Sequence, residues 1–138
     1  METRPFLTIA DARRMGEAAR AEALANGWAV AIAIVDEGAN LLWFERLDGT
    51  APISSHIGPA KARTAALGRR ESKLYEDSIN NGRTSFLSAP ELEGMLEGGV
   101  PVMVGGHCIG AIGVSGVRSS DDARIARAGI AALEANTP

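Results

Sequence analysis

Lys61 is the residue of this 138-residue chain best placed to do chemistry. It stands among Ala60, Ala62, Ala65 and Ala66, whose side chains are too short to shield it. Its ammonium must therefore either project into a cleft or run along the surface to reach water. In a cleft it would hold an anion, or move a proton if burial lowered its pKa. Asp36, Glu45 and His56 are the candidate second acid-base groups for such a reaction. His56 and His107 are the only histidines, and Cys108 is the only cysteine. One imidazole is enough to ligate a haem iron axially, so either histidine is a candidate for that role. Neither lies in a His-x-x-x-His or Cys-x-x-Cys-His context, so neither a zinc site nor covalently attached haem is expected.

The run Gly110-Ala111-Ile112-Gly113-Val114-Ser115-Gly116 is the second distinctive feature. A phosphate loop would end in Gly-Lys-Ser/Thr, whereas Val117-Arg118 follows here. A dinucleotide fingerprint needs G-x-G-x-x-G, and the spacing is G-x-x-G-x-x-G. Ser115 is not a nucleophile elbow, which would put glycine at position 117. Two readings remain. The glycines let a helix or a subunit approach closely, or the free amides around Ser115-Gly116 meet an anionic group. Glu91, Glu93 and Glu97 form an acidic patch, read as a solvated surface or a weak divalent-cation site. Asp121-Asp122 reads as helix capping and dipole compensation. Cys108 and the methionines read as packing.

Positioning these groups requires the following elements. The spacing predicts a helix over 8–26, with Thr8 as N-cap, Asp11 answering it in a capping box, and a stripe of Ile9, Ala12, Gly16, Ala19 and Ala23. A strand over 28–35 turns through 36–40 into a return strand, Leu41 to Arg46. A second helix covers 55–67 and ends at Gly68, its regular part starting at Pro59. A short helix covers 71–80. Residues 83–97 read as a loop entering a turn of helix or a short edge strand. Val100 to Val104 and His107 to Ser115 form a hairpin about Gly105-Gly106, with type I′ geometry expected. A last helix is capped by Ser119-Ser120-Asp121 and striped by Ile125, Ala126, Gly129, Ile130 and Leu133. Paired strands separated by helices predict an α+β fold with an antiparallel sheet.

Composition excludes several classes. Fourteen Lys and Arg oppose 17 Asp and Glu, a net charge of −3, which disfavours a dedicated nucleic-acid binder. No apolar run approaches the roughly 20 residues that cross a bilayer. The amino terminus lacks the basic start and apolar stretch of a secretory signal. One domain over 1–138 and a cytoplasmic location are expected.

Six ordered segments resemble the GlcG/HbpS family. They are Leu7-Thr8-Ile9-Ala10-Asp11-Ala12, Ala33-Ile34-Val35-Asp36-Glu37-Gly38, Lys61-Ala62-Arg63-Thr64-Ala65, Gly98-Gly99-Val100-Pro101, Gly110 to Gly116, and Asp122 to Ala132. The resemblance implies a profilin-like α-β-α sandwich around a five-stranded antiparallel sheet, assembled into homo-oligomers. Similar chains bind haem or a related tetrapyrrole, form the carboxy-terminal half of cobalamin adenosyltransferases, or stand beside catabolic oxidation genes. His56-Ile57-Gly58-Pro59 and the stretch Phe86 to Gly94 depart from the pattern. The expected function is therefore a small-molecule-binding oligomer whose ligand is haem. Lys61, Gly98, Gly99, Ser115 and Gly116 would line its cleft. The alternatives are an isomerase or tautomerase acting on a small carboxylate, and a structural partner of a larger enzyme.

Overall fold

The computed structural model describes residues 1–134. The chain starts with α1 (Ile9–Ala25), closed at its head by the reciprocal Thr8–Asp11 capping box. A hairpin of β1 (Ala31–Asp36) and β2 (Leu41–Arg46) follows. Then come α2 (Ser54–Gly68), α3 (Ser72–Asn80) and a 3-10 turn, Thr84–Ser88. A second hairpin, β3 (Gly99–Val104) and β4 (His107–Ser115), leads into α4 (Ser119–Glu134). The turn of that hairpin has Gly105 at φ 56° and Gly106 at φ 81°. Both are left-handed, as a type I′ turn requires.

The two hairpins join along β1 and β4, giving an antiparallel sheet in the order β2-β1-β4-β3. Strand side chains alternate between faces, and here the alternation also sorts them by size. Ile32, Ile34, Val102, Ile112 and Val114 point to the face covered by α1 and α4, where they meet Met15, Ala19, Ile125 and Ala126. Ala33, Val35 and Ala111 point the other way, onto Ala62, Ala65 and Ala66 of α2. With so little side chain between them, α2 rests almost backbone to backbone on the sheet. A Cβ added at Gly113 would lie 2.2 Å from the Gly58 carbonyl oxygen and 2.4 Å from the Ala62 nitrogen. On the first helix, Gly16 similarly makes room for the Trp43 indole. The result is an α-β-α arrangement of mixed α+β class.

Three expectations need correction. Among the described residues the sheet has four strands, not five. The segment that might have supplied a fifth, 83–97, forms the 3-10 turn and an irregular loop. Gly94 presses this loop onto α2, where a Cβ would lie 2.3 Å from the Ala60 carbonyl carbon. Trp28 to Val30 precede the ladder, and β1 begins at Ala31. Finally, α2 starts at Ser54, so Pro59 lies inside it. Its first turn is already closed, by bonds such as His56 N to Ile53 O, before the proline is reached. The ring still removes the bond to the Ser55 carbonyl one turn back and crowds that oxygen.

Candidate functional site

α2 carries Lys61 to the point where β3 begins and β4 ends. Its side chain is 2% exposed and passes beneath Gly98. Nζ donates to the Val114 carbonyl at 2.9 Å and to Asp122 Oδ2 at 3.1 Å. Asp122 belongs to the first turn of α4, on the opposite face of the sheet, and is 1% exposed. Its other oxygen, Oδ1, accepts from the Val117 amide at 3.1 Å. One buried ion pair thus ties the two helical layers together around the end of the sheet. Burial pushes the Asp122 carboxyl above its ordinary value, opposed by the Lys61 ammonium and the Val117 N–H.

The two glycines of the 98–99 turn are shaped around this lysine. Gly98 sits at φ 133°, and a Cβ there would lie 2.7 Å from the Val114 oxygen and 2.8 Å from Lys61 Nζ. A Cβ at Gly99 would lie 2.2 Å from the Lys61 carbonyl oxygen. The Gly99 amide donates to Ser72 Oγ at 2.8 Å, and the Gly98 carbonyl accepts from Val114 N at 3.1 Å. Ser115 Oγ lies 3.4 Å from Ser54 Oγ in the interior, while Gly116 is exposed. Of the expected cleft lining, Gly98 and Gly99 lie against Lys61, whereas Ser115 meets Ser54 and Gly116 faces outward. The ammonium does not overlook a cleft; its counter-charge is internal, and the glycine turn closes over it.

The proposed acid-base partners are not gathered there. Asp36 Oδ1 accepts from the Gly38 and Asn40 amides and closes its own turn. Asp36 pairs with Gly110 in the ladder, four positions along β4 from Val114. Glu45 stands opposite Ile32 and binds Arg20 at 2.7 Å on the α1 side. His56 is exposed on the first turn of α2, and His107 is half-buried opposite Val104. Of the acidic patch, Glu91 pairs with Arg63, and Glu93 and Glu97 lie in irregular chain rather than on one helical face. No group of three metal-ligating side chains converges among the described residues.

Asp122, read from the sequence as a capping carboxylate, is in addition the buried partner of Lys61, a pairing the sequence reading lacked. The signal was present: Asp122, Ile125, Ala126 and Gly129 follow i, i+3, i+4, i+7, so the carboxylate falls on the apolar stripe of its helix. A carboxylate on a buried face demands a partner, and the alanine-flanked lysine was the available cation.

Two cavities lie away from this pair. One of about 400 Å³ opens between the β3 edge and α4, lined by Val100, Pro101, Met103 and Ile130 with Arg127 and Glu71 at its rim. Another, of about 270 Å³, lies between α3 and the 83–97 loop. No helix among the described residues is long and apolar enough to cross a membrane.

A four-stranded antiparallel sheet between helical layers, locked by a buried lysine–aspartate pair under a Gly-Gly turn, defines a small α-β-α protein. Residues 7–131 match the family model described as haem degrading protein HbpS-like. The chain belongs to that family. It is 52% identical over 115 residues to protein GlcG of Escherichia coli strain K12, covering 83% of this chain and 85% of that one. Among solved structures, a double mutant of Streptomyces reticuli HbpS matches with a TM-score of 0.87 and 30% identity, over 96% of this chain and 90% of that one. A structure described as a PduOC:heme complex matches with a TM-score of 0.86 and 25% identity, over 93% of this chain and 95% of that one.

Proposed function

We propose that this protein binds haem or a closely related tetrapyrrole as a homo-oligomer. The observation that carries this reading is the haem complex formed by a chain of the same fold, similar over 93% of the present one. The donor chemistry here is compatible with it. Neither the His56 nor the His107 imidazole has a side-chain hydrogen-bond or ion-pair partner among the described residues, so each keeps a nitrogen free for iron. His107 stands across the hairpin from Val104, and Val104 and Met103 are 40% and 47% exposed. Such uncovered apolar surface beside an imidazole suits a flat ring. His56 follows Ile53, which is 58% exposed, and is the second candidate.

Bound haem would supply an iron centre for ligand or redox chemistry; the chain's part is to hold the ring and provide the axial imidazole. Lys61, Gly98, Gly99 and Ser115 lie at the opposite end of β4 from His107 and are not among the contacts of a ring held there. An isomerase acting on a small carboxylate would need Lys61 at its substrate, and that ammonium is engaged by Asp122 and Val114.

The test is titration with haemin, followed by the Soret band, on the wild type and on His107→Ala and His56→Ala. A saturable Soret shift at stoichiometric protein is expected, with at least tenfold weaker binding when the ligating histidine is removed. Absence of a shift in the wild type overturns the reading. Light scattering coupled to size exclusion measures the oligomer, and a monomer with and without haemin would refute that part.

A further inference from the structure

The cavity between α3 and the 83–97 loop has a chemistry of its own. Its floor is apolar, made by Ile79, Leu87, Met95 and Leu96. Its polar lining consists of the Glu76 and Glu93 carboxylates and the Asn80 amide, with no cationic side chain. The cations of the surrounding segments bind other groups directly, and Lys73 acts on Glu76 only at longer range. Lys73, the one basic residue of α3, binds Asp77 at 2.7 Å. Arg63 pairs with Glu91, and Arg83 lies over the Phe86 ring at 4.5 Å. Glu76 accepts a single backbone bond, from Glu97 N at 3.2 Å, and Glu93 has no partner among the described residues. Leu87 and Leu96 remain 67% and 43% exposed although they border a concave surface.

An apolar hollow rimmed by two carboxylates, neither of them in a direct ion pair, selects for an occupant with an apolar body and a positive end. A carboxylate or phosphate would be repelled, and a neutral molecule would leave the rim charges unanswered. An ammonium supplies three donors to acceptors that have few. The volume of about 270 Å³ falls just below the roughly 300–1,000 Å³ of ordinary ligand pockets, so the occupant is small.

We propose that this cavity binds a small amphipathic primary amine, with its alkyl or aryl tail on Ile79, Leu87, Met95 and Leu96 and its ammonium between Glu76 and Glu93. The site is separate from the two histidines, and the inference does not depend on haem binding.

Phenethylammonium is the probe, with phenylethanol and phenylpropionate as neutral and anionic matches, titrated into the full-length 15N-labelled protein near neutral pH. The amine should shift the amides of Ile79, Asn80, Leu87 and Met95, with a dissociation constant on the order of 1 mM. The alcohol should bind at least about tenfold more weakly and the acid not at all, because a charge-assisted hydrogen bond is lost or a repulsion gained. Glu93→Gln should weaken the amine at least about tenfold and leave the alcohol unchanged. Leu87→Lys, at an exposed position that does not endanger folding, should abolish amine binding by replacing part of the apolar seat with a cation. Equal affinities for amine and alcohol, an unaltered amine affinity in Glu93→Gln, or shifts confined to other parts of the chain would each overturn the proposal. Haemin titration of Glu93→Gln should match the wild type, so failure here and failure of the haem reading are distinguishable.

Discussion

Replacing Lys61 with methionine keeps most of the buried stem and deletes the charge that answers Asp122. In the wild type the carboxylate is 1% exposed and shares only the ammonium and the Val117 amide. Stranding a buried charge in this way costs about 3–5 kcal/mol. The cost should depend on pH in a defined direction. Burial already raises the Asp122 carboxyl, and Lys61 is the chief influence holding it down. Without Lys61 the folded-state value rises further, while the unfolded value stays near the ordinary 3.8. The folded variant then holds its proton more tightly than the unfolded one, so its stability falls as pH rises from about 3.8 through the raised value and levels off above it. The double variant Lys61→Met/Asp122→Asn buries no charge, and the amide oxygen still accepts from Val117. It should recover at least about 2 kcal/mol of the loss at neutral pH and lack the extra slope. Urea unfolding followed by circular dichroism across pH measures both, with the denaturant slope checked for constancy. If the single and double variants lose the same stability, or their pH profiles run parallel, the buried pair is not what this reasoning takes it to be.

Gly98→Ala should destabilise by about 2–4 kcal/mol, because it combines a left-handed backbone with a Cβ 2.8 Å from Lys61 Nζ; a change below about 0.5 kcal/mol in urea unfolding would contradict the placement of the turn. Burial raises the Cys108 thiol, so it should react with a thiol-specific chromogenic reagent at neutral pH only as fast as the fold opens, and at ordinary rates in denaturant. Rapid labelling of the native protein would show that the β4 strand is less covered than its burial indicates.

The elements with local signals were legible in the chain. Thr8 and Asp11 announce the first helix, and Gly105-Gly106 announces a two-residue turn whose conformation followed from glycine alone. Less legible were features decided by distant contacts. Pro59 pointed to a helix start, but bonds from residues before it had already begun the helix. The 83–97 segment has no pattern of its own because its path is set by Gly94 against α2 and by Ser72, whose hydroxyl donates to the Leu96 carbonyl. At the site, the structure places Gly98 and Gly99 against Lys61, since small residues around one long cation allow enclosure. Whether the enclosure held a ligand or a counter-ion depended on Asp122, 61 residues away. Its place on an apolar stripe is informative only when a partner on another helix is considered at the same time.

The sorting of side chains by size across the sheet sets how the two sides of this molecule can change. Where Ile32, Ile34, Ile112 and Met15 interlock, a methyl group lost by one can be taken up by another, so drift by compensation is open. Beneath α2 the spacing is fixed by Gly58, Gly113 and alanines, with nothing left to exchange. A library randomising both sides should therefore return many solutions on the first and almost none on the second, and relatives of this chain should diverge mainly on its isoleucine side.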